Sequence, residues 1–346
     1  MRKGTAPGDA GPQGALDELG SVFGDRIKQD PSREALTLVL PRTADEVVEL
    51  SKVAARRSLT LLAQGAGTGG GDTEPGNAVL IRFDLMGSVR LAEDGRSWAE
   101  AGPGATLLSL ENNLGARGLG PAVYPTSAPR ATVGGWLAGE GIGVGSFEYG
   151  RLPENVLSAE VVLSDGERRT LPGLELPEVL RENPSWLLTG ARLRTRPAGD
   201  MPFAVGFGDL EDLAAAAARL AEAGVPLWHL AFANAAMSRA RNLGGRPLLF
   251  GAYPRERSAA VEDALAATVE EHSGLALSAA DAHRVWGQRF FPVVPPQPTP
   301  GAERREVPLA GVPIALQAEE RPVQGTVSRS GEVLLLALTH GPGGSR

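Results

Sequence analysis

The chain has 346 residues, 42% of them apolar and 22% charged, which is enough for about two domains with cores of their own. A formal net charge of −7, with no block of lysine or arginine, argues against a nucleic-acid partner, because such binding needs a basic surface. There is no cysteine, so disulfides, thiolate metal sites and iron–sulfur clusters carried by this chain are excluded.

No segment reaches the roughly 20 apolar residues of a membrane span, and the N-terminus lacks the apolar core of a signal peptide. The expectation is a protein without a transmembrane segment, located in the cytoplasm. Residues 1–14 are rich in glycine, proline and alanine and are expected to lack order, with a short helix over Leu16 to Phe23.

The fold is expected to start near Asp30, with a strand over Ala35 to Leu40. Thr43 and Glu46 then form a capping box, and Val47, Leu50, Val53 and Ala54 give the following helix an apolar stripe. A strand over Leu59 to Ala63 runs into the sequence Gln-Gly-Ala-Gly-Thr-Gly-Gly-Gly that ends at Gly71. Five glycines between apolar runs leave the backbone bare. Successive amides in such a loop can form a nest for an anion, which points to a nucleotide phosphate. Gly65, Gly67 and Gly70 also have the spacing of a Rossmann fingerprint, but that fold needs a helix directly afterwards. Here Asp72 to Gly76 breaks the chain and Ala78 to Phe83 reads as another strand, so a Rossmann domain is disfavoured and a ligand-free glycine hairpin remains the alternative.

A strand over Ser97 to Pro103 and a helix over Ala105 to Gly118 follow. The segment Tyr124 to Gly150 contains so many small residues that side-chain packing alone does not account for it. Val156 to Leu163 and Arg168 to Leu171 read as a hairpin around Ser164-Asp-Gly166, and Arg192, Arg194 and Arg196 as the exposed face of a strand. Beyond Pro197 the pattern is strand Phe203 to Phe207, helix Leu210 to Ala223 capped by Asp209, strand Leu227 to Ala233, strand Leu248 to Ala252, helix Ser258 to His272 and strand Leu275 to Leu277. This reads as a β-α-β duplication on an antiparallel sheet. Pro292 to Pro300 is a proline-rich crossing, and Val307 to Leu309, Gln324 to Ser328 and Val333 to Leu338 are closing strands.

In order, Pro41-Arg-Thr-Ala-Asp-Glu-Val, Gln64-Gly-Ala-Gly-Thr-Gly, Pro125-Thr-Ser, Ala131-Thr-Val-Gly-Gly135, Tyr149-Gly150 and Glu160-Val-Val-Leu-Ser-Asp-Gly166 resemble the FAD-binding domain of the vanillyl-alcohol oxidase and p-cresol methylhydroxylase (PCMH-type) flavoproteins. The likeness covers about residues 30–197, and the residues after Thr132 look most like its glycolate oxidase and D-lactate dehydrogenase branch. The resemblance implies an α+β fold with an N-terminal segment (1–29), a two-subdomain FAD-binding domain (30–198) and a ferredoxin-like cap carrying the substrate pocket (199–346). It also implies that Gly65, Ala66, Gly67, Thr68, Gly69 and Gly70 hold the FAD pyrophosphate, and that Pro125, Thr126, Ser127, Thr132, Val133, Gly134 and Gly135 line the cofactor. Tyr149 and Gly150 would lie near the flavin, and Val156 to Val161 beside the adenine.

Trp286-Gly-Gln-Arg-Phe-Phe291 resembles a segment of the family's cap. Arg289 is then the candidate cation for a substrate carboxylate, since its planar fork suits a bidentate anion, with the catalytic base open between His229 and Tyr149. Without cysteine, or histidine in the loop, the FAD is expected to be non-covalent. The four histidines, His229, His272, His283 and His340, are too scattered for a metal site. The chain departs from the family at Asn183 to Gly190, where part of the flavin cradle is expected to be rebuilt or lost. The implied activity is oxidation of a small 2-hydroxy acid such as glycolate or D-lactate. The alternatives are a flavin-binding subunit that passes electrons to an iron–sulfur partner protein, and a degenerate member that binds no FAD.

Overall fold

The computed structural model describes residues 12–30, 33–67, 78–92, 98–128, 130–139, 141–291 and 302–339. They fall into two compact units. The first is built from residues up to Asn113, Pro129–Gly139 and Val156–Arg194, and the second from Leu114–Ala128, Glu140–Asn155 and the chain from Thr195 onward. The sequence reading places 114–128 and 140–155 within the continuous domain 30–198. In the structure these two segments hydrogen-bond to the second unit's own strands and loops, as at Phe291 N to Thr126 O and Arg329 N to Ser146 O.

In the first unit, β1 (Ile27–Asp30) pairs antiparallel with β2 (Arg33–Val39), while β3 (Thr60–Gln64) and β4 (Ala78–Arg82) run parallel with it in the order β1-β2-β4-β3. The helix Ala44–Arg57 connects β2 to β3. Thr43 Oγ1 accepts the Glu46 amide at 3.2 Å at its start, and Ser58, in the left-handed region at φ 53°, ends it. Its stripe of Val47, Leu50, Val53 and Ala54 buries against Leu61, Val79, Ile81 and, from the helix Pro12–Phe23, Leu19 and Phe23. β1 was not anticipated. Its four residues, Ile-Lys-Gln-Asp, are too short and mixed for a periodic signal, and pairing with β2 is what makes them a strand.

Arg26 holds this corner together by donating to both Glu46 oxygens, with Nη2 at 2.7 Å from Oε1, while the Arg42 amide donates to Glu46 at 2.7 Å. The Arg26 hydrogen bond keeps the Glu46 carboxyl below its ordinary value of 4.5. The folded pKa is thus below the unfolded one, so the stabilisation is fully present above about pH 4.5 and is lost as pH falls through the lower folded value. Glu46→Gln is expected to cost about 1–2 kcal/mol at pH 7, and to flatten the acid limb of stability in that window. Urea unfolding between pH 3 and 7 measures both effects.

The second sheet contains β5 (Val89–Leu91), β6 (Trp98–Ala101), β8 (Val156–Val162), β9 (Arg168–Leu171) and β10 (Leu187–Pro197), ordered β5-β6-β10-β8-β9, with β7 (Leu119–Pro121) pairing only with the last residues of β10. All these pairs are antiparallel. The segment Asn183 to Gly190 closes a turn, with Trp186 N donating to Asn183 O, and then opens β10. Arg192 and Arg194 are exposed, as the alternation predicts, but Arg196 is only 5% exposed. From Thr195 the strand pairs with β7, and Arg196 turns onto the Trp228 ring, 3.3 Å from its centroid, and onto both oxygens of Asp200 at 2.7 and 2.8 Å. A partner four residues away, outside the strand pattern, is what overturns the exposed reading.

The second unit is built on a seven-stranded antiparallel sheet of β11 (Asp200–Gly206), β12 (His229–Ala233), β13 (Leu248–Pro254), β14 (Leu275–Ala276), β15 (Ala302–Pro308), β16 (Val323–Val327) and β17 (Glu332–Leu338), ordered β14-β11-β13-β12-β16-β17-β15. The first four strands follow the order of a split β-α-β pair, with the helices Leu210–Glu222 and Ser258–Glu271 as its connections. Those helices cover one face through Leu213, Ala217, Leu220 and Val261, against Leu230, Phe232 and Leu249. On the other face, Ala231, Ala233 and Phe250 meet Met237, Ala282, Val285 and Phe291. The helices Ala235–Ala240 and Ala279–Gly287, which supply part of that layer, were not anticipated, because each is too short to display a helical period. The edge strand β15 is exposed along nearly all its length and carries Glu303, Arg304, Arg305 and Glu306, charges that discourage edge-to-edge association.

Candidate functional site

In the first unit, β3 delivers its C-terminal end to Gly65, Ala66 and Gly67, the last with φ +72°. Gly65 meets the turn that begins the helix Val133–Leu137. A Cβ at Gly65 would overlap Thr132 Oγ1 and lie 3.1 Å from the Gly135 Cα. Two runs of bare backbone therefore approach more closely than any side chain allows. Thr132 Oγ1 caps that turn by accepting the Gly135 amide at 3.3 Å. Gly134 donates to Pro103 O at 2.8 Å, where a Cβ would be crowded by Pro103, and Val133 is fully buried. Gly65 and the turn Thr132 to Gly135 thus pack backbone against backbone, an approach that only glycine allows. Thr68, Gly69 and Gly70 lie outside the described residues.

Val156 and Val161 are buried in β8, with their backbones paired to Leu193 and Leu188 of β10. The edge of β8 opposite β10 is covered by β9 from Ala159 onward, while the Val156 carbonyl packs against Gly173.

The other predicted residues belong to the second unit. Much of the glycine richness between Tyr124 and Gly150 has a local cause. Tyr124 and Val144 exchange backbone hydrogen bonds at 3.0 and 2.8 Å, and a Cβ at Gly143 or Gly145 would overlap the Tyr124 or Ala122 carbonyl. Backbone fills part of the space that the composition left unexplained. Thr126 is buried and its carbonyl accepts the Phe291 amide at 2.9 Å, with Pro125 and Ser127 in the same turn. Tyr149 is half-buried at the end of the helix Ser146–Tyr149, and Gly150 follows at φ +73°. Asn155 Nδ2 binds the Tyr149 carbonyl at 2.8 Å, and Arg151 reaches Glu306 and Glu332, each at 2.6 Å, so this turn is fastened to β15 and β17.

Arg289 lies just beyond the helix Ala279–Gly287. Its Nε donates to Tyr124 Oη at 2.9 Å and its Nη1 to Trp286 O at 3.2 Å, and its guanidinium stacks 4.2 Å from the Phe290 and 4.6 Å from the Trp286 ring centroids. Its backbone is held too, since Gln324 Nε2 donates to the Arg289 carbonyl at 2.7 Å. Arg241 in turn donates to Gln324 Oε1 at 2.6 Å and to Phe290 O at 2.8 Å. Burial lowers Arg241 to about 10. Arg241, Gln324 and Tyr124 were missed from the sequence, because nothing local distinguishes them and they meet Arg289 only through the fold.

His229 has no solvent exposure. Its Nδ1 accepts the Gly145 amide at 3.3 Å. Burial, with Arg289 and then Arg196 nearby, pushes its pKa down to about 3. At neutral pH the ring is neutral and one nitrogen is already engaged, so it is badly placed to serve as a base. His340 lies outside the described residues, and among those described no cluster of His, Asp or Glu could hold a metal ion. No described helix is long and apolar enough to cross a membrane.

Residues 35–172 match the FAD binding domain family. The chain is 33% identical over 135 residues to a D-lactate dehydrogenase of Archaeoglobus fulgidus, covering 38% of this chain and 30% of that protein. It is 29% identical over 150 residues to the glycolate oxidase subunit GlcD of Escherichia coli, covering 41% and 30%. The matched stretches thus span less than a third of these relatives' own lengths. Among solved structures, p-cresol methylhydroxylase with substrate bound superposes with a TM-score of 0.77 over 95% of this chain and 82% of that one, at 13% identity. At that identity the likeness shows the fold alone.

Proposed function

From the match of residues 35–172 to the FAD binding domain family, we propose a flavoprotein oxidoreductase that binds FAD non-covalently and oxidises a small 2-hydroxy acid to the 2-oxo acid. The observation that carries the reading is the cradle in which Gly65 closes on Thr132 and Gly135, together with the names of its relatives, D-lactate dehydrogenase and glycolate oxidase subunit. The bare amides of Gly65, Ala66 and Gly67 would hold the pyrophosphate, with Thr132 fixing the facing turn. The redox chemistry, acceptance of two electrons from the substrate C–H bond, would be supplied by the bound FAD.

The second unit's part in this reading is recognition of the substrate. Arg289, held rigid by Tyr124, Gln324 and the rings around it, would take the substrate carboxylate, and Tyr149 is the remaining candidate for the hydroxyl proton. Anaerobic addition of glycolate or D-lactate to the FAD-loaded protein is expected to bleach the visible flavin band. A protein that holds FAD and is bleached by no 2-hydroxy acid overturns the substrate assignment. The name of one relative, glycolate oxidase subunit GlcD, supports a second reading, a flavin-binding subunit that turns over only with an electron-transfer partner such as an iron–sulfur protein. Turnover appearing only when that partner is added would distinguish it.

A further inference from the structure

His229 has one ring nitrogen engaged and one unengaged. Because Nδ1 accepts the Gly145 amide, the ring proton resides on Nε2. That nitrogen is sealed from solvent and has no hydrogen-bond partner among the described residues. A buried donor without an acceptor is costly, and native structures retain few of them. Two cations bear on the ring, Arg289 at the end of the helix Ala279–Gly287 and Arg196 at the end of β10, the latter ion-paired with Asp200.

On the same face of the sheet, the cross-strand neighbour of His229 is Ala252, the next residue on its own strand is Ala231, and Ala231 lies between Phe250 and Thr326. Above them stand rings, with Trp286 centred 5.7 Å from His229 and Trp228 6.4 Å away. Trp228 is pinned by its Nε1 donating to Ala122 O at 3.0 Å and is 2% exposed. Trp286 is the partly exposed ring of the pair. A buried donor without a partner, beside the Arg289 cation, suits an anionic acceptor.

We propose that His229 Nε2–H is a substrate-binding donor that, with Arg289, receives the carboxylate of a small 2-hydroxy or 2-oxo acid. This rests on the 2-hydroxy acid reading above and gives His229 the role opposite to a base. Its pairing with Gly145 fixes the tautomer, so the nitrogen facing the ligand can only donate.

The test compares two variants of the FAD-loaded protein. His229→Asn keeps an acceptor near Nδ1 for the Gly145 amide and removes the Nε2 donor, whereas His229→Gln places an amide near Nε2. Oxalate and D-lactate affinities are read by calorimetry and by tryptophan fluorescence. Expected are at least a tenfold weaker dissociation constant in His229→Asn with its flavin content unchanged, and recovery of most of that loss in His229→Gln. In the unsubstituted protein, nitrogen NMR should find Nε2 protonated throughout pH 5–8 and its resonance shifted by oxalate. This last arm stands even if a variant fails to fold. Unchanged affinity in His229→Asn, or no oxalate shift, makes His229 a structural latch and overturns the proposal. A titration of the ring near pH 6–7, matched in the pH profile of kcat/KM, makes it a base and overturns it equally. If the unsubstituted, FAD-loaded protein binds neither acid, the 2-hydroxy acid reading itself is wrong and this role falls with it.

Discussion

Gly145→Ala is expected to destabilise the second unit by about 3 kcal/mol or more, the sum of backbone strain and overpacking, each worth about 1–3 kcal/mol. Gly145 sits at φ +93°, where an L side chain is strained. Its Cβ would overlap the Ala122 carbonyl oxygen and lie 2.6 Å from Trp228 Nε1, backbone on one side and a buried indole on the other. Neither can retreat cheaply. The indole already donates to that same carbonyl, and the Gly145 amide is the donor to His229. In differential scanning calorimetry the midpoint should fall by roughly 6–12 °C, at about 2–4 °C per kcal/mol for a unit of this size. An unchanged midpoint would mean that the Tyr124–Val144 bridge is not as tightly closed as described.

Gly65→Ala is the counterpart in the first unit, and its expected effect is on cofactor affinity. The added methyl would force Thr132 and Gly135 away from the end of β3. Overpacking of about 1–3 kcal/mol, expressed in the bound state, corresponds to roughly 5- to 150-fold weaker FAD binding. Gly20→Ala serves as the control. It lies in the helix Pro12–Phe23, where an added Cβ would meet nothing within 4 Å, and should leave affinity unchanged. Isothermal titration with FAD measures both variants, and equal affinities would remove Gly65 from the cradle.

These two glycines also mark how far the sequence could be read. The loop after β3 was legible because a helix capped by Thr43 and striped by Val47, Leu50 and Val53 places the strands on either side of it. Local signals suffice for such a unit. Gly143 and Gly145 were legible as glycines but not in purpose. Their neighbours, Tyr124 and Ala122, lie about 20 residues away in sequence, and a backbone approach leaves no pattern in side chains.

Arg196 was misread for a related reason. Strand alternation correctly exposes Arg192 and Arg194, but it fails where β10 changes partner and a buried indole and Asp200 become available. Arg289 was singled out through the resemblance of its segment to a family cap, yet the groups that fix its position, Arg241, Gln324 and Tyr124, converge from three distant stretches of chain. His229 was noticed as a histidine in an apolar strand. Only the Gly145 amide on Nδ1 reveals which of its nitrogens remains.

Binding of FAD by the first unit, through the cradle of Gly65 to Gly67 and Thr132 to Gly135, is the premise on which the rest depends. Titrating the purified, flavin-stripped protein with FAD while following flavin fluorescence tests it most directly. Saturable binding at one FAD per chain is expected, weakened in Gly65→Ala and unaffected in Gly20→Ala. A signal indistinguishable from that of free FAD at every protein concentration would contradict it.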